Sequence, residues 1–101
     1  MVDIIKNNKQ ALTALCQNYG VKTMYIFGSA STDQFNESSD IDILVSFKEM
    51  SIEKYTDNYF NLHEDLEKLF SRKVDLITER SLSNPYFIEG VEKTKQLLYA
   101  A

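Results

Sequence analysis

The chain has 101 residues, 44% of them hydrophobic, and a formal net charge of −4. This length is enough for one hydrophobic core and too short for two. The eleven basic residues are scattered, with Arg72 and Lys73 the only adjacent pair, which disfavours stable sequence-independent binding of nucleic acid. No apolar run is long enough to span a bilayer.

The single cysteine and the charged residues near the N-terminus indicate the cellular compartment of the protein. Cys16 has no second cysteine with which to form an internal disulfide, and it falls on the apolar side of the first helical pattern. Charge at Asp3 and Lys6 interrupts any signal-peptide pattern. We therefore expect a single domain over residues 1–101 that is cytoplasmic, with Cys16 as a buried free thiol.

The first half of the chain predicts one helix and two strands. The helix ends at Gly20, which supplies a left-handed stop. Residues 22–27 indicate a buried strand that ends at Gly28, and residues 41–47 indicate a second strand rich in β-branched residues. The apolar residues at helical spacing are Ile4, Ile5, Ala11, Leu12, Leu15, Cys16 and Tyr19.

The second half predicts a helix, a short strand and a final helix. The helix runs from about residue 51 to 70, and its single histidine, His63, is expected to be a partly exposed helix residue and not a ligand. Residues 74–77 form a strand whose Asp75 projects from the face opposite Val74 and Leu76. Asn84 and Pro85 start a final helix. That helix is expected to present Phe87, Val91, Thr94 and Leu98 on one side.

One motif predicts a catalytic site. It consists of Gly28-Ser29, ten further residues, and then Asp40-Ile41-Asp42. A Gly-Ser turn can present backbone N–H groups to a phosphate. Side chains two apart on a strand share a face, so Asp40 and Asp42 are expected side by side, where their charges repel unless a cation lies between them. A phosphate cradle beside paired carboxylates indicates nucleotide chemistry.

This motif resembles the signature of the DNA polymerase β-like nucleotidyltransferase superfamily. The short chain is similar to its minimal nucleotidyltransferase branch, small proteins encoded beside HEPN-domain partners in bacteria and archaea. The resemblance implies an α/β fold, with a small mixed β-sheet backed by helices. It also implies a third carboxylate from a later strand, and Asp75 matches that position.

The resemblance further implies a reaction and a partner. Asp40, Asp42 and Asp75 would hold two Mg²⁺ ions, and Gly28 and Ser29 would hold the triphosphate of ATP. The expected reaction moves AMP from ATP onto a hydroxyl, expected to be a tyrosine, of a HEPN-type toxin. The chain would then act as an antitoxin, as part of a homo- or hetero-oligomer.

The residues after the turn depart from the family pattern. Many members carry an Arg-Ala-Arg-Gly-like run there, whereas this chain has residues 30–33, Ala-Ser-Thr-Asp. Lys22 and Lys48 are candidates to replace the missing positive charge. Two alternatives stay open: a non-catalytic antitoxin that masks the toxin, and a transferase that acts on a small molecule such as an aminoglycoside. The second alternative usually requires an added helical domain, which this sequence lacks.

Overall fold

The computed structural model describes residues 3–28 and 39–101. Its strands belong to a single mixed sheet in the order β3-β2-β1-β4. In chain order the elements are α1 (Asp3–Lys6), α2 (Lys9–Asn18), β1 (Val21–Phe27), β2 (Ile41–Phe47), α3 (Ile52–Phe70), β3 (Val74–Thr78), a short 3₁₀ helix (Glu79–Ser81), α4 (Pro85–Thr94) and β4 (Gln96–Ala100).

The strand pairing brings the predicted functional segments to one end of the sheet. Strand β1 pairs antiparallel with both β2 and β4, and β2 pairs parallel with β3. The end of β1 therefore lies beside the start of β2, with Phe27 opposite Asp42. This arrangement confirms the predicted small mixed sheet backed by helices.

Because side chains alternate between the two faces of the sheet, the chain forms one apolar layer on each face. One face of the sheet packs against α2 and α3 and forms the larger core, in which Met24, Ile43 and Leu66 are fully buried. The other face forms a smaller cluster with α4, built on Phe27 and Val91. Asp42 alternates with the core residues of β2, so it lies on the α4 side.

The predicted first helix is interrupted. The structure has a turn at Asn7 and Asn8 between α1 and α2, and the Asn8 side-chain amide donates to the Ile4 carbonyl oxygen at 2.7 Å. Asparagine side chains compete with helix hydrogen bonds in this way, which explains the break. The stop at Gly20 is confirmed, with a φ of +68°.

The prediction for the end of the chain was wrong beyond Thr94. Leu98 does not continue the face of the final helix, since Gln96–Ala100 form the edge strand β4 beside β1. Leu98 is buried in the larger core, on the opposite side of the sheet from Val91. Pairing with β1 satisfies backbone groups that a short helical extension would leave at its end, so tertiary context prevails over local spacing.

The predicted helix starts are confirmed by their caps. The Ser51 hydroxyl accepts from the Lys54 N–H at 3.2 Å, and the Asn84 side-chain oxygen accepts from the Tyr86 N–H at 2.9 Å. Within residues 3–28 and 39–101, no helix combines the length and the hydropathy needed to cross a membrane.

Candidate active site

Asp42 and Asp75 lie next to each other on the two parallel strands. They occupy the same register position of β2 and β3, so their side chains project from the same face of the sheet. Their carboxyl groups are close enough for the charge of Asp75 to act on Asp42. The sequence-based expectation that Asp75 joins the motif carboxylates is therefore met for Asp42.

This pairing makes the carboxyl group of Asp42 harder to ionise. Burial, followed by the charge of Asp75, its hydrogen bond and the charge of Asp40, raises the pKa of Asp42 from 3.8 to about 6. Each cause penalises a second negative charge at this point of the sheet. The pair therefore attracts a proton or a cation.

Asp40 lies just before β2, as the predicted bounds of that strand require, and its carboxylate is 3.9 Å from the Lys73 ammonium. The preceding residue is held in place, because the Arg72 guanidinium donates to the Ser39 carbonyl oxygen at 3.0 Å. Asp40 is close enough for its charge to act on Asp42.

Gly28 is required by its backbone conformation and by its neighbour. Its φ is +67°, and a Cβ atom built there would lie 2.5 Å from Oδ2 of Asp42. Its N–H donates to the Thr94 hydroxyl at 3.0 Å, and that hydroxyl donates to the Gly90 carbonyl oxygen at 3.0 Å. The role of Gly28 is thus close approach to Asp42, and Gly28 itself is anchored to α4 through Thr94.

The other predicted phosphate ligand, Ser29, lies outside the described residues. The two lysines proposed to replace the missing arginines lie at the wrong end of the sheet. Lys22 is the second residue of β1, about 20 Å along the strand from Gly28, and Lys48 follows β2, about 20 Å from Asp42, at 3.3 Å per residue. Lys73, which the sequence analysis did not single out, lies at the site beside Asp40.

A cavity of about 450 Å³ opens beside the carboxylate pair. Its walls come from the sheet, from α3 and from the first turn of α4. The lining residues that carry polar groups are Asp42, Tyr59, His63, Glu67, Lys73 and Asp75.

Three side chains of α3 hold the outer edge of β3, the strand that carries Asp75. The Tyr59 hydroxyl donates to the Leu76 carbonyl oxygen at 2.5 Å, and the His63 ring lies 2.7 Å from the Val74 carbonyl oxygen. Glu67 accepts from the Val74 N–H at 2.9 Å. We call Tyr59, His63 and Glu67 the edge ladder. It satisfies backbone groups that an edge strand would otherwise expose.

His63 is a partly exposed helix residue, as expected, with a side-chain exposure of 34%. Its place in the edge ladder was missed. Because a carbonyl oxygen only accepts, Nε2 carries the hydrogen in this contact. The spacing of residues 59, 63 and 67, four apart along one helix face, is the signal that could have identified the ladder.

The carboxylates do not form a closed metal cage. Within residues 3–28 and 39–101, no three acidic, histidine or cysteine side chains converge as a ready-made ligand set. The paired oxygens of Asp42 and Asp75, with Asp40 nearby, instead form an open acidic site. Such a site suits Mg²⁺, which keeps several waters and takes substrate phosphates as further ligands.

The comparisons with known proteins agree with this geometry. The family model described as "Nucleotidyltransferase domain" matches residues 8–98. A Methanocaldococcus jannaschii protein assigned as a protein adenylyltransferase is 38% identical over 91 residues, covering 90% of this chain and 87% of that protein. The Thermococcus cleftensis protein adenylyltransferase MntA is 37% identical over 81 residues, covering 79% of this chain and 73% of that protein.

Solved structures give the same result for the fold. A structure assigned as a minimal nucleotidyltransferase is 28% identical, with a TM-score of 0.68. The match covers 94% of this chain and 95% of that chain. The complex of the tri-AMPylated Shewanella oneidensis HEPN toxin with an MNT antitoxin contains a chain that matches with a TM-score of 0.67. That match is 22% identical and covers 96% of this chain and 73% of the other. The chain is therefore a nucleotidyltransferase and belongs to the nucleotidyltransferase domain family, as a minimal member with the DNA polymerase β-like fold.

Proposed function

We propose that the chain transfers AMP from ATP onto a hydroxyl of a partner protein, with a divalent cation at the carboxylates. The observation that supports this most directly is the position of Gly28. Its missing side chain leaves the Asp42 carboxylate open at the end of β1, beside the turn where a phosphate would lie. A nucleotide phosphate can therefore approach Asp42 and Asp75 together.

The donor set fits Mg²⁺. The raised pKa of Asp42 shows that its negative charge is poorly compensated by the protein alone, since burial and two neighbouring carboxylates all act in one direction. A cation bound there would neutralise phosphate charge and lower the pKa of the attacking hydroxyl. Asp42 and Asp75 are proposed as its direct ligands, with Asp40 joining them by leaving Lys73.

The residues of the chain then position an in-line displacement. The acceptor hydroxyl oxygen forms a bond to the α-phosphorus, the bond to the bridging oxygen of the β-phosphate breaks, and pyrophosphate leaves. One of the paired carboxylates accepts the hydroxyl proton. Ser29 is proposed to donate to the phosphates, and Lys73 to balance their charge once Asp40 moves away. Most of the rate enhancement comes from positioning and charge neutralisation.

The acceptor is proposed to enter from the β3 side. The cavity on that side is open, and the edge ladder and Lys73 line it. Because a single small domain cannot enclose a second substrate, an open cavity is where a partner protein could present its hydroxyl. The MntA relative supports a protein as the acceptor. The toxin–antitoxin complex of similar fold supports a HEPN-domain toxin as that partner. A tyrosine hydroxyl of the partner is proposed as the acceptor group. The chain would then be an antitoxin.

A second candidate is a non-catalytic antitoxin that masks its toxin by binding. It needs only exposed apolar side chains for contact with a partner, and Ile52 (78% exposed) and Tyr86 (86% exposed) are such side chains. Such a surface serves either mechanism, because an enzyme must also bind its protein substrate.

The test is incubation of the chain with labelled ATP, Mg²⁺ and the neighbouring HEPN-domain protein, followed by mass spectrometry of both chains. The proposal expects AMP on a tyrosine of the HEPN protein and none when Asp42 is replaced by Asn. Complex formation without label would support masking. Label on neither chain under conditions that bind ATP would rule out the transfer.

A further inference from the structure

The two edges of the sheet differ in how their backbone groups are bonded. At the β3 edge, all three side chains of the edge ladder hydrogen-bond the backbone of Val74 and Leu76. At the β4 edge, no side chain of the residues that the structure describes hydrogen-bonds the backbone of residues 97–100. Protection of an exposed edge would apply to both strands, so it does not explain a ladder at β3 alone.

His63 and Glu67 bond Val74 in the way that a neighbouring strand would. The His63 Nε2–H donates to the Val74 carbonyl oxygen at 2.7 Å, and Glu67 accepts from the Val74 N–H at 2.9 Å. The two side-chain groups lie 3.6 Å from each other, so together they supply the donor and the acceptor of a peptide unit. The Tyr59 hydroxyl then donates to the next carbonyl oxygen along this edge, that of Leu76.

The edge ladder bonds the residues on both sides of Asp75. Backbone groups alternate between the two sides of a strand, and those of Val74 and Leu76 face α3. The backbone groups of Asp75 therefore face β2, the side on which the Ile41 N–H donates to the Lys73 carbonyl oxygen at 3.1 Å. At Asp75, β3 is thus held between β2 and α3.

The edge ladder lies on a well-packed part of α3. Leu62 and Leu66 are fully buried in the larger core, and each is followed directly by a ladder residue, His63 or Glu67. Residues four apart share a helix face, so the buried stripe fixes the position of the ladder stripe beside it. The edge ladder is therefore a fixed support for β3.

The edge ladder also forms part of the active-site wall. Its three side chains line the same cavity of about 450 Å³ as Asp42 and Asp75. Groups behind a metal ligand set its orientation, and a ligand displaced by a fraction of an ångström binds the metal poorly. The bonds that hold β3 against β2 therefore bear on how the two carboxylates meet a cation.

We propose that the edge ladder positions Asp75 for the divalent cation, which makes Tyr59, His63 and Glu67 positioning residues of the transfer reaction. This inference rests on the proposed function, since Asp75 must be a ligand of the cation. The edge ladder holds β3 at a fixed distance from β2 and thereby sets the spacing of Asp75 from Asp42. Loss of the ladder leaves the Asp75 carboxylate in the chain but displaces it.

The experiment uses two disrupting variants and two controls. His63→Leu removes the donor to Val74, and Tyr59→Phe removes one hydroxyl and keeps the ring. His63→Gln is the rescue control, because its amide N–H can replace Nε2–H. Asn58→Ala is the matched control on the same helix, since Asn58 donates to the Tyr19 carbonyl oxygen at 2.9 Å, at the end of α2 and not at β3. Melting curves establish that each variant is folded.

Two measurements are made on the full-length chain. Calorimetry gives the dissociation constant of α,β-methylene-ATP, whose α–β linkage is not cleaved, with Mn²⁺ and with no metal. Hydrogen exchange followed by nuclear magnetic resonance gives the protection of the Asp75 amide, which faces β2. Neither measurement requires the acceptor protein or turnover.

We expect His63→Leu and Tyr59→Phe to weaken binding of the Mn²⁺ complex by about 10- to 100-fold, the usual effect of removing a group that orients a metal ligand. Binding of the metal-free analogue should be unchanged, and the Asp75 amide should exchange faster. His63→Gln should bind the Mn²⁺ complex nearly as well as the unaltered chain. Asn58→Ala should melt at a lower temperature and bind the Mn²⁺ complex normally.

Other outcomes separate this inference from the proposed function. If His63→Leu and Tyr59→Phe bind the Mn²⁺ complex normally, or if Asn58→Ala weakens it as much as they do, the edge ladder has no positioning role while the cation site stands. If the unaltered chain binds the Mn²⁺ complex no better than the metal-free analogue, the proposed function fails and the positioning role fails with it.

Discussion

Asp42 and Asp75 occupy matching positions on adjacent parallel strands, and the charge of Asp75 helps to raise the pKa of Asp42. Nothing in the folding of a mixed sheet requires two acidic residues to meet there, and their mutual repulsion costs free energy. The proposed cation would compensate both charges when substrate is bound.

Replacing Asp42 by Asn removes one charge at nearly constant shape. Transfer should fall below detection, while the free energy of unfolding at neutral pH should rise by about 1 kcal/mol, a value that allows for solvent screening. Urea unfolding measures the stability, and mass spectrometry of the acceptor measures the transfer.

The pH dependence of that gain follows from the raised pKa of Asp42. Folded Asp42 holds its proton up to about pH 6, whereas the unfolded carboxyl loses it near 3.8, so the native chain loses stability as pH rises between these values. The advantage of Asp42→Asn should be absent below about pH 4 and complete above about pH 6. A gain that is equal at every pH would contradict this account.

Gly28→Val should destabilise the fold and abolish transfer. Its positive φ is unfavourable for a β-branched residue, and its Cβ would lie 2.5 Å from Oδ2 of Asp42. Gly90→Ala is the matched control, since it adds a methyl group to a glycine of the same chain where there is room. Thermal melting and transfer assays of both variants test the difference; equal behaviour would mean that Gly28 has no special role.

Thr94→Val removes the hydroxyl that accepts from the Gly28 N–H while keeping the size of the side chain. The loss should cost about 1 kcal/mol of stability. It should also slow transfer, because Gly28, which lies beside Asp42, loses its anchor on α4. Thr94→Ser retains the hydroxyl and should behave like the unaltered chain. Loss of activity in the Ser variant as well would assign the effect to packing.

Glu67→Leu should loosen the edge of β3. The change leaves the Val74 N–H without its carboxylate acceptor, at a cost of about 1 to 2 kcal/mol in urea unfolding. Glu67→Gln keeps an acceptor oxygen and should cost less than half as much. Hydrogen exchange at the Val74 amide should be faster in the Leu variant only; unchanged exchange there would show that the ladder does not protect the strand.

Sequence patterns were sufficient for most of the fold. The β2 bounds, the caps at Ser51 and Asn84 and the stop at Gly20 all depend on local chemistry, which is visible in single residues and their spacing. The last strand was not predictable in this way. Residues 96–100 form β4 only because β1 offers a free edge, a partner that lies some seventy residues earlier in the chain.

In the candidate site, too, local features were predictable from the sequence and contacts between separate elements were not. Strand alternation predicts the face on which Asp75 lies, and the family resemblance supplied the expectation that it joins Asp42. The ion pair of Asp40 with Lys73 and the contact of Thr94 with Gly28 depend on how separate elements pack, so no local pattern predicts them.

The central claim is that the carboxylates catalyse transfer, and the amount of chain needed to neutralise a toxin tests it directly. An enzyme acts repeatedly, so with ATP present the unaltered chain should neutralise the HEPN-domain partner at well below equimolar amounts. The variant with Asp40, Asp42 and Asp75 all replaced by Asn should lose this substoichiometric protection and still bind the partner through its apolar surface. If that variant protects as well as the unaltered chain, at the same ratio with or without ATP, the catalytic account is wrong and the chain works by masking.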